Sequence, residues 1–226
     1  MKTYWYLTRG SGAVALVLLS VAVVIGIASI GRVRSGRWPR FAVEGLHRTS
    51  SLLAVVFVAI HVVTAVLDSF ASISLLDAFV PFVGSYRPIW LGLGAVASDL
   101  LLAVIVTSLL RRRLGHRLWR SVHWLAYVSW PIAVVHTLGT GSDVQLLWLQ
   151  IVYGVCTAAV VAAVLARIAI GWPGRPRLRL GALGVLAALV LGLAVWLPLG
   201  PLGHDWAKRA GTPATLLPAS ERGSAA

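Results

Sequence analysis

The chain has one cysteine, Cys156, and one methionine, Met1. A single cysteine excludes an intramolecular disulfide, a thiolate metal cluster and the C-x-x-C-H attachment of haem. With Met1 as the only methionine, axial His–Met ligation of haem is excluded too. Charge is scarce: 12% of residues against about 25% in soluble domains. Acids are scarcer still, seven against twenty Lys and Arg. No G-x-G-x-x-G follows a predicted strand, so no dinucleotide-binding unit is expected.

What is present is apolar: 58% hydrophobic residues and a mean hydropathy of +0.86. The net charge of +13 would suggest nucleic acid in a soluble protein. Here the arginines cluster between apolar runs, as they do on the cytoplasmic side of membrane spans, so the expected partner is the lipid bilayer and not nucleic acid.

Six apolar runs, about 13–30, 47–67, 89–110, 121–138, 144–168 and 180–197, each approach the roughly 20 residues a bilayer requires. The expected fold is all-α, a polytopic membrane bundle of six transmembrane helices over 13–197. A short outer segment, 1–12, precedes it with Tyr4, Trp5 and Tyr6 at the interface, and a flexible tail, 198–226, follows. The first run is not read as a signal peptide, because no A-x-A site follows it and Arg32, Arg34, Arg37 and Arg40 do. Fourteen of the twenty basic residues fall on the side of the loops after runs one, three and five. That predicts a multi-pass protein of the cell membrane with both termini outside. Runs two and four are then parallel, both leading from inside to outside. The outer loop after run two carries Asp68, Asp77 and Arg87, and its centre from Ile73 to Phe82 is expected to lie flat in the interface.

Run two is bounded by His47 and His61, 14 residues apart, about 21 Å along a helix and close to four turns. Run four repeats the device with His123 and His136, 13 apart. Ionisable groups within spans are rare and suggest function. In parallel helices His47 and His123 share an inner level, and His61 and His136 an outer one. One imidazole from each helix at each level is what bis-histidine haem ligation needs. A zinc or copper site would need three or four converging ligands. The competing reading is four polar residues satisfied within a bundle by Ser50, Ser51, Ser129 or Thr64; the matched levels favour ligation. A spacing of 13 falls out of phase on an ideal helix, and a distortion at Pro131 is expected to bring His136 back toward run two, with His123 in a loosely wound first turn.

Two parallel spans with histidines 14 and 13 apart resemble the ferric-reductase-like transmembrane domain, over about residues 13–170. That group includes NADPH oxidases, ferric-chelate reductases and the haem-binding membrane subunit of methionine-sulfoxide reductase systems. The resemblance implies two b-type haems, His47 with His123 on the inner iron and His61 with His136 on the outer. Larger members continue into flavin and nicotinamide domains, which are not expected here. The donor is therefore expected to be a separate cytosolic flavoprotein or a quinol, with FMN or quinone as a further cofactor of no assignable site. Ferric iron, oxygen or a partner protein is the expected outer acceptor.

Around these residues, Arg48 and Arg120 flank the inner histidines and suit haem propionates, though inside-positive topology explains them as well. Arg87, alone on an acidic outer loop, suits an outer propionate. Asp99, in mid-span, suits a proton path or a hydrogen bond orienting a ligand imidazole; the alternative is an acid satisfied by Ser98 or Thr107. Trp130 and Phe57 fall between the two histidine levels, Trp90 and Trp172 near span ends, and His116 and His204 have no partner at their level. The expected function is transmembrane electron transfer, as the membrane subunit of a ferric reductase-like oxidoreductase. The alternatives are a subunit feeding a separate outer enzyme, and a non-redox transporter or structural membrane protein.

Overall fold

The computed structural model describes residues 2–30, 39–141, 143–171 and 175–217. Arg32, Arg34, Arg37, Trp172 and the end of the expected tail, 218–226, lie outside the described residues. The helices are α1 (Lys2–Ile30), α2 (Arg40–Leu67), α3 (Leu75–Phe79), α4 (Pro88–Leu109), α5 (Arg111–His123), α6 (Leu125–Thr140), α7 (Leu147–Gly171), α8 (Pro176–Leu199) and α9 (Trp206–Arg209), followed by a 3-10 turn, Ala214–Leu216. The described residues contain no strand.

Among the described residues, five helices are long and apolar enough to cross a membrane: Thr3–Ser29, Phe41–Leu67, Pro88–Leu109, Leu147–Ile170 and Pro176–Leu199. The protein is a multi-pass helical membrane protein. Its surface has the inverted character that lipid permits, with Leu180, Val185, Leu189 and Leu191 of α8 all more than half exposed.

The expected fourth span is where the fold departs from the six-run reading. The basic stretch 111–120, expected as a turn between runs three and four, is helical on either side of Gly115, and α5 ends on His123. Helix α6 then starts at Leu125 and has 16 residues, about 24 Å, which is short for a hydrocarbon core of about 30 Å. The helix assignment changes at Trp124, whose backbone stays in the right-handed helical region (φ −63°, ψ −21°), and α6 continues through Pro131. His123 ends α5 and His136 lies on α6. Within α5, Gly115 takes φ 75°, ψ 158° and breaks the helical path.

The outer segment expected over 1–12 is not separate from the first span. Gly10, Ser11 and Gly12 do not stop α1, and the Ser11 hydroxyl donates back to the Leu7 carbonyl. The tail expected to be flexible from 198 instead carries α9 and the 3-10 turn, with Ala210 and Leu217 buried.

The chain forms two compact units. One comprises 1–12, 57–143 and 204–226; the other comprises 13–56 and 144–203. In the first, α4 and α6 pack antiparallel, with Gly92, Ala95, Ala97 and Val104 of α4 and Ser129, Trp130, Val134, Leu138 and Gly139 of α6 buried. Small residues allow this close approach, and the buried Ser129 hydroxyl donates to the Ala97 carbonyl at 3.0 Å. Arg9 pairs with Asp143 in the same unit and lies over the Trp5 ring. In the second unit Ala15, Leu16, Ser20, Ala22 and Ile27 of α1, Ser50 and Ala54 of α2, and Cys156, Val160 and Ile168 of α7 are buried.

Candidate functional site

His61 and His136 face each other within the first unit. Their ring centres are 6.2 Å apart and their planes cross at 81°. A metal–imidazole bond of about 2.0 Å on each side, with a little over 1 Å from nitrogen to ring centre, separates two imidazoles on one metal by about 6.3 Å. The observed ring-centre separation matches that value. Among the described residues no three or more His, Cys, Asp or Glu gather into a metal site. Two nitrogens alone fit a metal whose other ligands come from a macrocycle.

Each ring is held from behind. His61 Nδ1 donates to the Thr8 carbonyl at 2.7 Å, and His136 Nδ1 donates to the Trp90 carbonyl at 2.8 Å. In the second unit His47 Nδ1 donates to the Ala22 carbonyl at 3.0 Å. A proton held on Nδ1 leaves Nε2 of a neutral imidazole with its lone pair available, the state a metal ligand requires. The hydroxyls that might have satisfied these rings are turned elsewhere: Ser50 to the His47 carbonyl, Thr64 to Ile60 and His61 carbonyls, and Ser129 to Ala97.

The three acceptors share a feature. Each lies four residues before a glycine that touches the same ring: Thr8 and Gly12 at His61, Ala22 and Gly26 at His47, Trp90 and Gly94 at His136. In an α-helix the carbonyl of residue i points at the N–H of residue i+4, so the Cβ of residue i+4 stands beside that oxygen. Removing that Cβ opens the approach for an imidazole from a neighbouring helix. A Cβ on Gly94 would lie 2.4 Å from His136 Cε1, on Gly12 2.9 Å from His61 Nδ1, and on Gly26 3.2 Å from His47 Cε1. The carbonyl keeps its helical bond, since the oxygen has a second lone pair.

His123 is held differently. It ends α5, and its ring stacks on Trp119 at 5.1 Å, while Trp119 Nε1 donates to the Ser108 hydroxyl at 3.2 Å. His47 belongs to the second unit and His123 to the first, so each is described within its own.

The remaining candidates fall out as follows. Arg48 and Arg120 are exposed on α2 and α5. Arg87 is only 3% exposed; its Nε donates to the Thr212 hydroxyl at 2.9 Å and its Nη1 to the Gly139 and Thr140 carbonyls at 3.2 and 3.0 Å. The structure thus gives Arg87 protein partners in place of the open loop position expected for a propionate ligand. Asp99 is half-buried on α4 and makes no hydrogen bond or ion pair with the described residues, Ser98 and Thr107 included. Trp130 is buried and Phe57 half-buried. Trp90, placed near a span end, supplies the His136 acceptor.

The carbonyls and glycines escaped the reading by side-chain type, since backbone acceptors have no sequence identity. One signal was available: Gly12 and Gly26 on α1 are 14 residues apart, the same interval as His47 and His61 on α2.

A family model described as ferric reductase like transmembrane component matches residues 10–134, more than half of the chain. No curated protein and no solved structure matches it.

Proposed function

The chain belongs to the ferric reductase like transmembrane family, and from that premise we propose that it conducts electrons across a membrane through two b-type haems. The single observation that carries the reading is the His61–His136 pair, spaced at 6.2 Å with each Nδ1 committed to a carbonyl. When bound, a haem supplies a one-electron iron centre whose potential is set by its axial ligands and their hydrogen bonds. His61 and His136 would hold the group through Nε2, while the Thr8 and Trp90 carbonyls keep the Nδ1 protons in place. An Nδ1–H···O=C bond raises the basicity of the ligating nitrogen, which favours the oxidised metal.

His47 and His123 are proposed as the inner pair. Their spacing from the outer histidines supports this, as does the Ala22 carbonyl and Gly26 seat of His47, which repeats the Thr8 and Gly12 seat of His61. Arg48 and Arg120 beside them are proposed to meet propionates, a role that suits exposed guanidinium groups at a span end. With basic loops inside, the electron donor is a separate cytosolic flavoprotein or a quinol, and the acceptor on the outer side is ferric iron, oxygen or a partner protein. The chain is then the membrane subunit of a ferric reductase-like oxidoreductase in the cell membrane.

The test is direct. Chain purified from haem-replete cells is expected to show a Soret band that sharpens on reduction and about two haems per polypeptide. His61→Ala and His136→Ala are each expected to lose the same single haem. A colourless folded preparation, or two haems retained in both variants, would overturn the proposal.

A further inference from the structure

The residues from 204 to 217 sit against the outer ends of α4 and α6, within the same compact unit as His61 and His136. Trp206 Nε1 donates to the Gly139 carbonyl at 3.1 Å, and its ring stands 5.1 Å from that of Trp90. Trp90 also lies against Gly139, where a Cβ would come within 2.3 Å of the ring. Trp90 thus packs on both the α6 backbone and Trp206. It sits in the first turn of α4, the part of a helix most prone to fray, and its carbonyl is the acceptor for His136 Nδ1.

A second tie reinforces the first. Arg87, the residue before α4, holds a left-handed backbone of φ 43°, ψ 59°. For a residue with a Cβ that conformation is strained and persists only where surrounding contacts over-determine it. They do: Arg87 N–H donates to the Gly211 carbonyl at 3.0 Å and Nε to Thr212, while Nη1 reaches the carbonyls that end α6. Gly211, at φ 87°, turns the chain over Pro88 without a Cβ in the way. The start of α4, the end of α6 and the 204–217 segment are therefore one latched assembly.

We propose that this segment is a positioning element for the outer metal ligand: through Trp206 and Thr212 it fixes Trp90, and through the Trp90 carbonyl it sets the orientation and basicity of His136. The inference rests on the outer haem reading above. Loosening the latch weakens the His136 Nδ1–H bond, makes Nε2 a poorer donor and raises the reduction potential of the outer centre alone.

The experiment is a redox titration of full-length wild type, Trp206→Ala, Trp206→Phe and Thr212→Val in detergent, with low-spin ferric EPR of each. Trp206→Ala is expected to keep the inner midpoint and shift the outer one upward, with a broadened outer EPR signal. Trp206→Phe, which keeps a ring against Trp90, restores the EPR line shape. Thr212→Val, which removes one hydrogen bond and is the milder change if Trp206→Ala fails to fold, gives a smaller upward shift of the same midpoint. Unchanged outer midpoints and EPR signals in a two-haem Trp206→Ala protein, or in Thr212→Val, would overturn this inference and leave the haem reading standing. Equal shifts of both midpoints would also overturn it. A wild type without haem would instead remove the reading on which it rests.

Discussion

Gly94→Ala adds a single methyl group and is expected to disable the outer site. The new Cβ would lie 2.4 Å from Cε1, 2.5 Å from Nδ1 and 2.9 Å from Nε2 of His136. Non-bonded carbons settle at about 3.5–4.0 Å, so the imidazole must retreat by about 1 Å. That retreat lengthens the 2.8 Å bond from Nδ1 to the Trp90 carbonyl to about 3.8 Å, past any useful hydrogen bond. It also moves Nε2 several times further than the roughly 0.2 Å a metal bond tolerates. The methyl cannot be relieved by a rotamer change, because it sits on the helix backbone, and α4 is packed closely against α6. Losing an outer-shell partner of a ligating histidine weakens metal binding by about 10–100-fold. Overpacking adds a further cost of about 1–3 kcal/mol. The combined loss is at least about 50-fold in affinity for the outer haem. Haem content, measured as pyridine haemochrome per polypeptide, should fall from about two to about one, with the inner spectrum unchanged. Two haems at full occupancy, with the outer midpoint unmoved, would refute the glycine-seat argument.

The other two glycine seats should grade with their distances. Gly12→Ala, at 2.9 Å from His61 Nδ1, is expected to weaken the outer haem by about 10-fold, and Gly26→Ala, at 3.2 Å from a ring carbon of His47, to shift the inner midpoint with little loss of occupancy, both read by the same haem titration. Gly154→Ala on α7 is the control: nothing lies within 4 Å of the added Cβ, so haem content stays and thermal stability rises by about 0.5–1 kcal/mol.

The clash distances in this series come from contacts between residues far apart in the chain, which explains what was legible beforehand and what was not. Hydropathy and the placing of arginines are local properties of the chain, and they suffice for five of the spans. The fourth run is divided between α5 and α6, and the backbone leaves helical geometry at Gly115 within the basic stretch before it, which hydropathy does not register. The tail is less legible for a different reason. Small polar composition predicts weak burial, but the segment gains order from Arg87 and Gly139, residues more than 60 positions upstream. Arg87 stands out in the sequence as a base on an acidic loop. Its partners could not be named, because two of them are backbone carbonyls.

The sequence by itself determined a helical membrane protein, and it determined the histidine intervals of 14 and 13, because span length, polarity and spacing are all read along one dimension. It also held the interval between Gly12 and Gly26. Only the tertiary structure decided that these glycines stand opposite imidazoles, that His61 meets His136, and that the Thr8, Ala22 and Trp90 carbonyls hold the Nδ1 protons. Those matters depend on the rotation and depth at which one helix lies against another. A shift of a single residue rotates a helix face by about 100° and would turn every one of these rings away from its acceptor.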